Sequence, residues 1–185
     1  MTRSRPTSRP NPRPLDGSRL EELALAYVAR FATSAAKLDD YLRRKLRERG
    51  WDGEGSAPVA AIVARFVEAG YIDDAAFARA KTGSLLRRGF GARRIGQALG
   101  AAGIAEEVRD EVRAGQAEQR RAALALARKR RIGPFGPAGA DRAVREKQLA
   151  AMLRAGHPLD SARELVNSPS VEAAEDWAAE LDGDD

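Results

Sequence analysis

Apolar residues return every three or four positions along most of this chain, in short blocks closed by glycine. Leu20, Leu23, Ala24, Tyr27, Val28 and Phe31 form the first block, a spacing that puts one apolar stripe on a helix. Ser18 precedes it as an N-cap, with Glu21 as its capping-box partner. A second helix follows a Thr33-Ser34 cap, carries Leu38, Tyr41, Leu42 and Leu46, and stops at Gly50. A third starts near Pro58, carries Val59, Ile62, Val63 and Phe66, and stops at Gly70. Proline at the start and glycine at the end is the asymmetry helices favour.

The arrangement then recurs. Asp73-Asp74 caps a helix with Phe77, Ala78 and Leu85; Arg93 to Ala102 turns Ile95 and Leu99 inward and ends at Gly103. Glu106 to Arg113 carries Val108 and Val112. A long helix from about Ala117 to Arg131 opens a last unit. After a Gly/Pro loop, Arg142 to Ala155 carries Val144, Leu149, Met152 and Leu153 and ends at Gly156, and Pro158 to Val166 closes the unit. Gly50, Gly103 and Gly156 stand 53 residues apart, each four residues after Leu46, Leu99 or Met152. Each is read as the left-handed cap of a middle helix. Eight residues before, Leu42 and Ile95 match, while Gln148 breaks the pattern and Leu149 stands one step over.

The expected fold is therefore all-α: three tandem three-helix repeats over residues 18–70, 71–115 and 116–167, forming an elongated, curved body. Residues 1–17 hold four prolines among Ser, Thr, Asn and Arg and are read as a disordered basic tail. Residues 168–185 are an acidic C-terminal tail.

Composition narrows the functions. There is no cysteine, so no disulfide or thiolate chemistry, which fits a reducing cytoplasm. No apolar run reaches the ~18 residues of a membrane span. Charge is uneven: net +3 over residues 1–17, +10 over 18–163 and −8 over 164–185. Arginine dominates the basic centre, and its planar fork suits carboxylate or phosphate. The partner is thus a polyanion or an acidic protein surface.

Catalytic chemistry finds little support. His157 is the only histidine, so no second imidazole or thiolate completes a metal site around it. Gly89-Phe90-Gly91 lacks the third glycine of a dinucleotide loop and follows a helix, so it is read as a turn. Asp39-Asp40 and Asp73-Asp74 read as caps or exposed turns, and Ser34, Ser84 and Ser161 have no base partner. No cofactor is expected.

The segment Gly70-Tyr71-Ile72-Asp73-Asp74-Ala75-Ala76-Phe77-Ala78 resembles the most characteristic stretch of the RecX family, Gly-Tyr-aliphatic-Asp-Asp followed by Phe-Ala. Arg88-Gly89-Phe90-Gly91-Ala92-Arg93-Arg94-Ile95, then Leu99 and Gly103-Ile104, follow at the family's spacing. The similarity runs over about residues 18–166, is strong from 57 to 108 and is looser in the last unit. It implies tandem three-helix repeats and a regulator of homologous recombination and DNA repair; the chain is expected to be non-catalytic, cytoplasmic and monomeric. Such proteins bind the RecA recombinase and its nucleoprotein filament on DNA and generally restrain them. The tail before Ser18 and the acidic end after Asn167 depart from the family's pattern.

The hallmark Gly70, Tyr71, Asp73, Asp74, Phe77, Gly89, Gly91, Ile95, Leu99 and Gly103 reads as structural. Carboxylates at a helix start accept free N–H groups, while Tyr71 and Phe77 are expected to pack the joint between the first two repeats. Contact chemistry is expected in one basic cluster per repeat: Arg43, Arg44, Lys45, Arg47 and Arg49; Arg87, Arg88, Arg93 and Arg94; Arg128, Lys129, Arg130 and Arg131. Direct DNA binding by a helix-turn-helix, with Asp40 to Arg49 as reader, is the alternative, although that helix carries no Asn or Gln to read adenine. At the acidic end, Val171, Ala174, Ala178 and Leu181 share one helical face with Trp177 beside it. This end either folds back over a basic cluster or remains a solubilising tail.

Overall fold

The computed structural model describes residues 13–137 and 139–181, and among these residues the regular structure is helical. The chain divides into two compact units, Met1–Asp73 and Asp74–Asp185.

The first unit holds α1 (Gly17–Val28), α2 (Ala35–Arg49) and α3 (Val59–Glu68). Its core is Leu15, Leu20, Ala24, Leu38, Leu42, Val59, Ile62, Phe66 and Ile72. The α2 cap is Ser34, as its sequence position implies; its hydroxyl accepts from the Lys37 amide at 3.3 Å. The α1 cap is Asp16 and not Ser18: its carboxylate accepts from the Arg19 amide at 2.9 Å. An ionised acceptor at a helix N-terminus also gains from the macrodipole, which a hydroxyl does not. Phe31, expected on the α1 stripe, lies beyond the helix end and is 54% exposed.

The basic N-terminal segment needs a second correction. Residues 1–12 lie outside the described residues, but residues 13–17 belong to the first unit. Leu15 is fully buried in its core. Its amide donates to the Gly50 carbonyl at 3.0 Å, and its carbonyl accepts from the Asp52 amide at 2.9 Å, forming a parallel bridge beside Trp51. Gly50 permits this by leaving the helix at φ 84°, ψ 169°. That is an extended region open in practice only to glycine, and not the left-handed cap expected there. Arg49 adds a clamp, donating to the Arg13 carbonyl at 2.9 and 3.0 Å.

The second unit holds two successive helix triads and a final helix. The first triad is α4 (Asp74–Arg87), α5 (Ala92–Gly100) and α6 (Glu106–Glu111). It closes over Ala78, Leu85, Ile95, Leu99, Ala102 and Ile104, with Phe77 packed against them. The second is α7 (Gln116–Arg130), α8 (Arg142–Arg154) and α9 (Leu159–Asn167), followed by α10 (Val171–Ala179). Its core includes Leu124, Leu126, Ile132, Met152, Leu165, Ala174 and Ala178. Phe90 packs against both cores. Val144, expected inward, is exposed, and Met152 takes the buried position on α8.

Helix ends repeat one device. The amides of Tyr71, Phe90, Ile104, Ile132 and His157 donate five residues back, to Phe66, Leu85, Leu99, Ala127 and Met152, at 2.9–3.2 Å. Each follows a residue of positive φ: Gly70, Gly89, Gly103, Arg131 or Gly156. This closes the orphan carbonyls of each helix in the Schellman manner. Arg131 is the non-glycine among them, at φ 53°.

Replacing Leu15 by Ala should lower the stability of the first unit by about 2–5 kcal/mol. Chemical denaturation followed through Trp51 fluorescence measures it. An unchanged midpoint would return residues 13–17 to a loose tail.

Candidate functional site

The α4–α5 connection meets the end of α8 backbone to backbone. The Gly91 amide donates to the Ala155 carbonyl at 2.9 Å, and the Arg93 amide to the Gly156 carbonyl at 3.3 Å. A helix start has free N–H groups and a helix end has free carbonyls; here each supplies what the other lacks. The approach demands that side chains be absent. A Cβ on Gly91 would lie 2.4 Å from the Gly156 carbonyl, and one on Gly156 would lie 2.5 Å from the Arg94 amide nitrogen. A Cβ on Gly89 would meet Leu126 of α7 at 2.9 Å.

His157 completes this joint. It is buried, and its Nε2 lies 3.0 Å from the Gly89 carbonyl, so the neutral ring donates from Nε2. Burial holds its pKa below the ordinary 6.5, against the smaller opposite pull of the Gly89 hydrogen bond. Its place in the molecule is that of a strut. Gly89 and Gly91, read from sequence as a turn, are thus also the seat of the close approach.

Around the joint stand the middle arginines. Arg87, Arg88, Arg93 and Arg94 are all exposed. Arg93 donates to the Leu153 carbonyl, which ties it to the end of α8. Arg88 lies over the Phe90 ring, 5.3 Å from its centroid. Neither Arg87 nor Arg94 has a carboxylate partner among the described residues. Arg154, not singled out by sequence, is exposed at the last position of α8, where that helix meets α5. An arginine ending a capped helix was the signal that could have found it.

The other clusters are more occupied. On α2, Asp39 holds Arg43 through two oxygens at 2.5 and 3.1 Å, and Glu48 takes Lys45 at 2.6 Å and Arg44 at 3.7 Å. Arg49 is spent on the Arg13 carbonyl, while Arg47 forms no salt bridge among the described residues and acts on Glu48 only through its charge. On α7, Arg128 pairs with Glu175 and lies 5.8 Å from the Phe135 centroid. Lys129, Arg130 and Arg131 are exposed. Within the second unit, Arg93 and Arg128 of the sequence-predicted cations carry internal partners, while the others form no salt bridge among the described residues.

The acidic end supplies that pairing. Helix α10 buries Ala174 and Ala178 in the second core and packs Trp177 against it. Arg120 of α7 donates to the Trp177 carbonyl and to Glu180, at 2.8 and 2.7 Å, and lies 4.8 Å from the Trp177 ring centroid. Residues 171–181 therefore fold back onto α7, as one of the two sequence readings has it; 182–185 lie outside the described residues. Arg120 was missed because nothing local marks it. Of the family hallmark, Ile95, Leu99 and Phe77 serve the α4–α6 core. Tyr71 does not bury: it is 59% exposed, with its ring 5.4 Å from that of Phe66. Ile72 is the buried residue of that segment. Gly70 and Gly103 are turn glycines of positive φ, and Asp73 and Asp74 stand at the start of α4.

Helix triads joined through glycine turns, with arginine on their outer faces, define a small all-helical protein built from three-helix units. The family model described as RecX, second three-helix domain, matches residues 73–112. The chain is 34% identical to the regulatory protein RecX of Myxococcus xanthus (strain DK1622), covering 85% of this chain and 89% of that one. It is 31% identical to RecX of Mycobacterium sp. (strain JLS), covering 86% and 88%. The crystal structure of RecX from Lactobacillus salivarius matches with a TM-score of 0.63 at 16% identity, over 84% of this chain and 96% of that one. The chain belongs to the RecX family of regulatory proteins. No helix among the described residues is long and apolar enough to cross a membrane.

Two predictions concern the joint. Gly91→Ala should destabilise the second unit by about 1–3 kcal/mol, since backbone must move to admit the methyl. Gly96→Ala, within the helix that Gly91 precedes and facing open space, should stabilise by up to about 1 kcal/mol. Thermal melts of both variants check the opposite signs. Because the folded pKa of His157 is depressed, its neutral form stabilises fully above the ordinary 6.5 and progressively less as pH falls below it. The melting temperature should drop as pH falls below the ordinary 6.5, and His157→Gln should flatten that drop. Parallel pH profiles for the two proteins would remove His157 from the effect.

Proposed function

We propose that this protein is a non-catalytic, cytoplasmic regulator of homologous recombination and DNA repair, binding the RecA recombinase or its nucleoprotein filament and restraining its activity. The observation that carries the reading is the set of exposed cations on the second unit that have no carboxylate partner among the described residues: Arg87, Arg88, Arg94, Lys129, Arg130 and Arg131. Free guanidinium groups on a backbone-locked frame suit an acidic or phosphate-bearing surface, because little reorganisation is needed on contact. Arg131 adds weight. It holds the left-handed conformation that glycine takes at the comparable turns, and a strained arginine that keeps its place supports a contact role. Family membership supports the recombinase as partner. On the first unit, taken by itself, Arg43, Arg44 and Arg47 are the proposed contacts; on the second, Arg93 and Arg128 adjoin the other cations in sequence.

Reversing charge at Arg88 and Arg94 together should weaken capture of RecA filaments on single-stranded DNA roughly tenfold or more at low salt, with helicity by circular dichroism unchanged. Wild-type capture would take the α4–α5 cluster out of the interface. Retention of naked duplex as strong as filament capture, in filter binding, would favour the DNA-binding alternative. The rate of ATP hydrolysis by RecA reads whether the effect is restraint.

A further inference from the structure

An aromatic group at the α1–α2 connection has no part in the reading above. Tyr27 of α1 and Tyr41 of α2 stack with ring centroids 4.2 Å apart and planes 17° apart. Phe31 leans on Tyr27 at 5.3 Å and 51°, and more than half of its surface, 54%, is open to solvent. Cations border the Tyr41 end of the stack. The Arg44 guanidinium lies 5.5 Å and the Lys45 ammonium 5.9 Å from the Tyr41 centroid, within the range of cation–π attraction. Arg30, beside Phe31 in the chain, is exposed and has no side-chain partner among the described residues. The carboxylates nearby are largely committed. Asp39 is taken by Arg43 through two oxygens, and Glu48 is shared by Arg44 and Lys45, so one negative charge answers two positive ones. Asp40 is exposed on the same helix.

We propose that this cluster is a stacking site for single-stranded nucleic acid: one unpaired base lies on the open Phe31 ring, and Arg30, Arg44 and Lys45 neutralise the phosphates beside it. Every base has a π-face, so an exposed ring flanked by cations binds single strands with little regard for sequence. In a duplex those faces are already stacked, so duplex DNA meets only the cations. An apolar peptide side chain would seek a hollow, whereas an exposed ring offers a face. The Tyr27–Tyr41 stack behind Phe31 fixes its position, so base binding need not order a loose side chain.

The test uses the full chain and no recombinase, so its outcome is separate from the RecA reading. Fluorescence anisotropy with a dye-labelled oligothymidylate, and with a duplex of equal length, measures affinity. Phe31→Ala should weaken single-strand binding roughly tenfold and leave duplex affinity and melting temperature unchanged. Phe31→Tyr should retain wild-type affinity, and the pair Arg44→Ala with Lys45→Ala should flatten the salt dependence. Phe31→Leu keeps apolar bulk without a π-face, which separates stacking from folding should the alanine variant lose stability. The proposal is overturned by a wild-type chain that ignores the oligothymidylate, by Phe31→Ala or Phe31→Leu binding it at wild-type strength, or by equal losses on single strand and duplex.

Discussion

The second unit depends on main chain meeting main chain. At the contact between α5 and α8, the start of one helix meets the end of another, and the amides one leaves free find the carbonyls the other leaves free. Buried backbone groups without partners are costly, so this meeting is favourable only at a spacing that lets the hydrogen bonds form. That spacing excludes any Cβ at Gly91 or Gly156. His157 then fills the one remaining need, a donor for the Gly89 carbonyl, from a buried and uncharged ring. Phe90 lies between these glycines and enters both apolar cores, so one tripeptide sets the hydrogen bonding and the packing together.

This arrangement divides labour among the arginines. Some are structural although they lie at the surface, half-buried or exposed: Arg49 clamps the Arg13 carbonyl, Arg93 ties α5 to α8, and Arg120 and Arg128 hold α10. Others, such as Arg94 and Arg130, have no internal task among the described residues. The distinction cannot be drawn from charge density, because both kinds occur in the same runs of sequence. It follows from which carbonyls and carboxylates the fold brings within reach.

What the sequence made legible follows the same line. Local features could be read: the Ser34 cap, the turn glycines 70, 103 and 156, and the inward faces of Leu42, Ile95 and Leu99 all express themselves within one helical turn. The apolar face of α10 was visible too, although its docking site was not, since Arg120 lies 57 residues from Trp177 in the chain. Leu15 was hidden for the opposite reason. A single leucine between Pro14 and Asp16 has no period, and its significance lies with Gly50 and Trp51, far along the chain. Gly50 misled because the spacing it shares with Gly103 and Gly156 masks a different backbone geometry. The joint escaped detection because contacts between carbonyls and amides leave no side-chain signature except glycine, and glycine alone reads as a turn.

A frame written in glycine and main chain is indifferent to the identity of its surface residues. An exposed arginine such as Arg94 can be exchanged for lysine, glutamine or glutamate without altering the register of α5 on α8, because its own side chain takes no part in that register. The charge pattern is thus free to drift one residue at a time and to follow a partner whose surface is itself changing. Gly91 and Gly156 have no such latitude, since a methyl group on the first would press the Gly156 backbone and one on the second the Arg94 backbone. Adaptability and constraint therefore sit three residues apart, at the start of the same helix.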